Sequence, residues 1–258
     1  MKQLLNRVSG VFTMLALAAF AQAIELEDLQ PWAIGEAWSS DGGTLLYREY
    51  HFAEDPSLDL PTRILYLDPE GQLFAEKSLS YHQSLNAPAV SYIDHRSQAQ
   101  VEVAHNGDSR ARMVRVAFRA DEDSRKRSRD IDLSDTLIID AGFDPFIRQH
   151  WDALVNGNRI TAPFLVPSRL DTIRVGVTNT RRSDCAIDGE DILCFTVRPA
   201  GMLRVVGWLV DPIYLAYDSQ TQRLLMFDGV SNIPDDAGDN QTVRLLYYYP
   251  ADSLDSAS

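Results

Sequence analysis

Two cysteines, Cys185 and Cys194, are the residues whose spacing says most about chemistry. They bracket Asp188-Gly189, a dipeptide that tolerates positive φ and favours a tight hairpin, with alternating apolar positions on either side. Folding back there sets the thiols opposite each other, so the expectation is a cross-strand disulfide formed in an oxidising compartment. Two thiolates with no neighbouring His or further Cys cannot complete a tetrahedral metal shell. A redox-active pair would be spaced Cys-x-x-Cys.

The remaining reactive side chains do not fall into a catalytic spacing. His51, His82, His95, His105 and His150 are scattered, without the paired helical spacing of a zinc hydrolase. No Gly-x-Ser-x-Gly elbow occurs, and the glycines lie in isolated turns rather than in a phosphate-cradling loop. Asp140 and Asp144 could pair as carboxylates, yet they sit where a helix cap would place them. The acidic run Asp235 to Asn240 lacks the later bidentate Glu of a calcium loop. The reading favours a non-enzymatic protein, with no catalytic residue, no metal and no cofactor assigned, and leaves open a hydrolase that would need a polar cleft joining His150 or His82 to a nucleophile.

Aromatic residues are the other conspicuous group: Phe143, Phe146, Trp151, Phe164, Trp208, Tyr214, Tyr247 and Tyr249. Large aromatics supply much of the buried area of any domain, so one reading makes them core. In the other, part of the set lines a cavity for an apolar ligand. Phe146 and Trp151 would then contact the ligand from a helix, and Trp208 and Tyr214 from a sheet.

The elements that must position these residues are mostly strands. Short alternating segments separated by turn chemistry span Thr44 to Phe52, Arg63 to Leu67, Gln72 to Leu79, Ala99 to Ala104 and Met113 to Phe118. Further runs are Arg174 to Asn179, Leu203 to Val210, Ile213 to Tyr217, Arg223 to Phe227 and Thr242 to Tyr249. One segment breaks the pattern. Asp144 can cap a helix that starts at Pro145, with Phe146, Ile147, Trp151, Leu154 and Val155 on one stripe, Arg148, Gln149 and Asp152 facing away, and Asn156-Gly157 ending it. A lone amphipathic helix must bury its stripe against the sheet. The highly charged stretch from Arg119 to Asp135 reads as a solvated hairpin tip. The fold expected is mainly β (α+β), a curved antiparallel sheet or incomplete β-barrel enclosing one amphipathic helix.

Lys2 and Arg7, the apolar run from Val11 to Phe20 and the small residues Ala21-Gln22-Ala23 have the three parts of a secretory signal, with cleavage expected after Ala23. A single β-rich domain is then expected over residues 24–250, followed by a flexible tail at 251–258, with periplasmic localisation. No transmembrane segment is expected after cleavage. A formal net charge of −13 repels phosphate backbones and anionic headgroups, which argues against nucleic acid as a partner.

The stretch from Asp211 to Asp218, with Thr221 to Gly229 and Ser231-Asn232-Ile233, is similar to uncharacterised exported proteobacterial proteins. The sheet-and-helix order also resembles the lipoprotein-carrier (LolA/LolB-like) superfamily. That resemblance implies an incomplete barrel whose apolar concave face, covered by helix, receives acyl chains. Carriers have several helices where this chain offers one. Two functional expectations follow: a periplasmic binding or chaperone-like protein for a lipid or other apolar ligand, or a structural or interaction protein of the envelope with a filled core, its partner another envelope protein.

Overall fold

The computed structural model describes residues 30–106, 112–185, 187–189, 191–200 and 211–250. The expected signal segment and its cleavage after Ala23, the expected tail, Gly107 of the Asn106-Gly107 turn and the strand expected at Leu203 to Val210, with Trp208, lie outside the described residues.

Fourteen strands among the described residues form one sheet in which every neighbouring pair is antiparallel. They are β1 (Ala33–Ser39), β2 (Leu45–Phe52), β3 (Arg63–Leu67), β4 (Leu73–Ser80), β5 (Ala89–Asp94), β6 (Gln100–His105) and β7 (Met113–Arg119). The rest are β8 (Arg127–Asp132), β9 (Ile160–Val166), β10 (Asp171–Thr180), β11 (Ile192–Pro199), β12 (Ile213–Asp218), β13 (Leu224–Val230) and β14 (Thr242–Tyr248). The order across the sheet is β8-β7-β6-β5-β4-β3-β2-β1-β14-β13-β12-β11-β10-β9. Strands adjacent in sequence are adjacent in the sheet except β8 and β9, and the first and last strands pair, so the open edges are β8 and β9. The helices α1 (Phe143–Gln149) and α2 (Trp151–Val155) occupy the connection between those edges.

Laid flat, fourteen strands would hold their edges roughly 60 Å apart. Instead, Arg127 on β8 donates to the Ser168 carbonyl in the β9–β10 turn at 2.9 Å. Arg129 donates to the Leu170 carbonyl at 3.4 Å. The sheet therefore curls until its edges meet through side chains, an incomplete barrel. Register then separates two faces. Tyr47, Glu49, His51, Ile64, Tyr66, Ala75, Lys77, Tyr92, Val103 and Val116 share the inner face of one half. Ala162, Val175, Val177, Phe195, Val197, Leu215 and Tyr217 share it in the other. The outer face carries Glu36, Arg48, Glu76, Glu102, Arg115, Asp130, Arg198, Asp228 and Arg244, the reverse of a lipid-facing barrel wall.

Three expectations are corrected. The charged stretch from Arg119 to Asp135 is not all hairpin tip, because Arg127–Asp132 is an edge strand paired with β7. Its charges find partners, Arg115 with Asp130 at 3.1 Å and Lys126 with Glu102 at 2.8 Å. The disulfide joins Cys185 to Cys194, with Cα atoms 6.1 Å apart, but it is not cross-strand. Cys185 follows a 3-10 turn at Arg182–Asp184, while Cys194 lies on β11. Finally, the helix begins at Phe143 behind a 3-10 turn at Asp140–Gly142, so Asp144 is not its cap. It also breaks at His150, whose Nδ1 bonds the Phe146 carbonyl at 2.9 Å.

Candidate functional site

The interior has an apolar half and a more polar half, in which ionisable groups sit among buried apolar side chains such as Ile64, Val103 and Val116, and the helical connection links them. In the apolar half, Phe146, Ile147, Trp151 and Leu154 are buried in one cluster with Val175, Val177, Phe195, Leu215 and Tyr217. The Trp151 ring lies edge-on to Phe195 at 5.5 Å and to Tyr217 at 5.8 Å between centroids. Val155, expected on the same stripe, is 41% exposed because α2 ends there.

The polar half is built from strand residues whose inward positions carry ionisable groups. Alternation along β2 points Tyr47, Glu49 and His51 inward together. Glu49 Oε2 lies 2.8 Å from His51 Nε2 and accepts from the Tyr247 hydroxyl at 3.3 Å. The Tyr247 ring covers Gly35, where a Cβ would meet Tyr247 Cε1 at 2.9 Å, so this close cross-strand approach needs glycine. Tyr47 shares a hydrogen bond of 2.9 Å with the Ser231 hydroxyl.

Next to this group, Lys77 Nζ donates to both carboxylate oxygens of Asp140, at 2.8 and 2.9 Å. The ammonium also lies 5.7 Å from the Tyr66 ring centre and 5.9 Å from that of Tyr92. Burial, reinforced by the Glu49 carboxylate, holds the Tyr47 and Tyr66 hydroxyls well above their ordinary range, so both stay neutral hydrogen-bonding groups. Asp140 adopts a left-handed φ of 48°, unusual for a residue with a Cβ. The ion pair therefore fixes the turn that launches α1. Two residues on, Gly142 passes so close to the next loop that a Cβ would lie 2.1 Å from the Asn86 carbonyl oxygen.

A second charged cluster holds the far end of α1. Arg148 pairs with Asp144 at 2.6 Å and donates to the Asp59 carbonyl at 2.9 Å. Asp59 Oδ1 in turn accepts from Trp32 Nε1 at 3.2 Å and from Arg223 Nη2 at 3.1 Å. Arg148 was expected to face away, but it anchors the helix instead. Burial pushes the Asp144 carboxyl above its ordinary range, opposed by the Arg148 charge. The neighbouring residue Gln149 accepts from Asn86 Nδ2 at 2.9 Å.

The four aromatic residues proposed from sequence as ligand contacts do not all meet. Phe146 and Trp151 lie on the inner side. Tyr214 lies on the outer face, because Leu215 and Tyr217 point inward, and it packs with Cys185, Cys194, Ala216 and Met226. Trp208 lies outside the described residues. An open surface cleft of about 450 Å³ lies at the ends of β2, β3 and β4 and is lined by Phe52, Thr62, Arg63, Ser78 and Leu79 among others. Among the described residues, no group of three or more His, Cys, Asp or Glu is placed to hold a metal ion. Glu49 and Lys77 belong to no spacing that marks a site, and His51 is one of five scattered histidines. Their signal was present, since each is a charged or titratable residue at an inward position of an alternating strand.

No protein-family model, no curated protein and no solved structure matches this chain.

Proposed function

We propose that this chain is a non-enzymatic interaction protein of the cell envelope, exported to the periplasm, whose core is filled by its own helix and whose function resides on its outer surface and loops. The observation that carries this reading is the occupation of the inner face by Phe146, Ile147, Trp151 and Leu154, packed ring against ring on Phe195 and Tyr217. The signal-like first residues and the disulfide support an oxidising, extracytoplasmic setting. An apolar ligand in the same space would have to displace those four side chains. Burial of each such side chain is worth about 1.5–3 kcal/mol, so emptying the space would cost most of a typical domain's stability.

Replacing Trp151 separates the two functional expectations. In a filled core, Trp151→Ala costs about 3–5 kcal/mol and lowers the urea midpoint markedly. In a ligand cavity, the variant would keep its midpoint and lose bound lipid, as native mass spectrometry of protein from its own periplasm would show. The second result would refute the interaction reading.

A further inference from the structure

Elsewhere on the outer face, arginines stand beside carboxylates: Arg48 pairs with Glu36 at 3.1 Å, Arg115 with Asp130 at 3.1 Å and Arg244 with Asp228 at 2.6 Å. The face formed by β9, β10 and β11 breaks this rule. Register turns Arg174, Gly176 and Thr178 of β10 outward beside Thr161 of β9 and Thr196 and Arg198 of β11, with no carboxylate among them. Arg159, just before β9, lies over the same face. Arg159, Arg174 and Arg198 are exposed, and none of the three makes an ion pair or hydrogen bond among the described residues. The acids at either end of β10 are engaged elsewhere, Asp171 with Arg129 at 3.7 Å and Asp184 with the Thr180 hydroxyl at 2.5 Å.

Arg159 is seated on the sheet. A Cβ at position 176 would lie 2.6 Å from Arg159 Nη2 and 2.7 Å from its Nε, so the guanidinium rests on the bare glycine of β10. Arg198 stands directly opposite Gly176 on β11, and Arg174 lies two residues along β10 on the same face. Neighbouring strands are about 4.8 Å apart and alternate residues of a strand about 7 Å apart, so the three cations leave the sheet within a patch of roughly 10 Å. Like charges this close repel, and no acid on the face offsets them. The patch is short of negative charge although the chain as a whole carries −13.

Resting on the interaction reading above, we propose that this face docks an extended acidic segment of a partner protein, its alternate carboxylates seated on Arg159, Arg174 and Arg198. Spacing supports the match. Alternate residues of an extended segment present carboxylates about 7 Å apart on one side, the step that separates Arg174 from Gly176 and the guanidinium upon it. Arginine grips a carboxylate through two parallel N–H donors, and the Thr161 and Thr178 hydroxyls can donate beside it. Charge also favours a short segment over a large anionic surface. Attraction to the patch acts within a Debye length of about 8 Å, whereas a bilayer or a nucleic acid also meets the acidic remainder of the chain.

The test uses the full-length protein and a fluorescein-labelled peptide with glutamates at alternate positions among serines. A glutamine-for-glutamate peptide, inorganic phosphate, phosphatidylglycerol vesicles and a fluorescent C16 fatty acid serve as comparison probes. The expected result is saturable binding of the glutamate peptide that weakens with added salt, and none of the glutamine peptide. Affinity should fall about tenfold or more in Arg159→Gln combined with Arg198→Gln, and stay within about twofold in Arg115→Gln combined with Arg125→Gln, which removes the same charge elsewhere. Gly176→Ala keeps every charge but displaces the Arg159 guanidinium, so it should weaken binding about threefold or more. Unchanged melting curves would show that the variants are folded. Equal losses in the two double variants, full affinity in Gly176→Ala, or absence of binding up to ~1 mM would overturn the site. Displacement of the peptide by ~1 mM phosphate at constant ionic strength, or tighter binding to the vesicles, would assign the patch to a phosphate group and overturn the acidic segment. All of these results leave the interaction reading standing. One-to-one fatty-acid binding that perturbs Trp151 fluorescence would overturn the interaction reading itself.

Discussion

Lys77 shows how a single inward charge is tolerated inside a sheet. Its side chain is only 4% exposed, and its attraction to Asp140 offsets desolvation because both carboxylate oxygens and two tyrosine faces surround it. Asp140→Ala leaves that ammonium buried without a counter-charge and should cost about 3–5 kcal/mol in urea unfolding. The double change Lys77→Met with Asp140→Ala should recover much of this, which would separate the unpaired charge from simple loss of packing. Asp144 carries a pH signature. Because burial raises its carboxyl above the unfolded value, the folded state binds its proton more readily. Its contribution therefore favours the fold as pH falls from its folded value towards the ordinary aspartate range, and is a penalty above that window. In Asp144→Asn the corresponding slope of stability against pH should vanish, and a slope unchanged from the parent protein would contradict the assignment.

At the scale of elements, the seam between β8 and β9 is where the sheet stops short of closing. β9 bears Pro163, which suits an edge strand, and the Pro163 carbonyl is taken by the Ile138 amide at 2.9 Å. β8 is protected by charge instead. If two copies paired edge to edge in antiparallel fashion, opposed residues would have to share a face. In the register centred on residue 129 Arg129 would meet Arg129, and in that centred on residue 130 Asp130 would meet Asp130. Both registers set like charges together, a recognised way to blunt an edge. Arg127→Val combined with Arg129→Val should therefore release the bonds to Ser168 and Leu170 and make the edge adhesive. Size-exclusion chromatography and dye binding would report this as concentration-dependent oligomers. A variant that stays monomeric would show that the arginines do not guard the seam.

On the scale of the whole molecule, the pairing of β1 with β14 joins strands from opposite ends of the chain. Ile34 lies opposite Tyr248, and Glu36 accepts from the Tyr248 hydroxyl at 2.5 Å while pairing with Arg48 at 3.1 Å. The N-terminal and C-terminal halves of the sheet meet there, so neither half completes the inner face alone. Closing so long a loop carries an entropic cost that later contacts must repay. Deletion of residues 242–248 should abolish cooperative unfolding rather than shorten the sheet, which near-UV circular dichroism and a urea titration would reveal. A truncated chain with a sharp transition would contradict this.

Much of the architecture was legible locally. Strands such as Arg63–Leu67 announce themselves by alternation bounded by turn residues, and the helix by its apolar stripe. Strands β1, β5 and β9 escaped notice because they contain or follow Gly or Pro, whose effect on a strand depends on which edge it occupies. Composition and short-range pattern by themselves determined a mainly β chain with one helical interruption, because hydrogen-bonding period and side-chain period are properties of a few consecutive residues. Only the tertiary structure decided which side of each strand faces inward, that Tyr214 turns away from Trp151, and that Glu49, His51 and Lys77 share an interior with a helix. Those outcomes depend on register across fourteen strands and on how far the sheet curls, and no local segment encodes either.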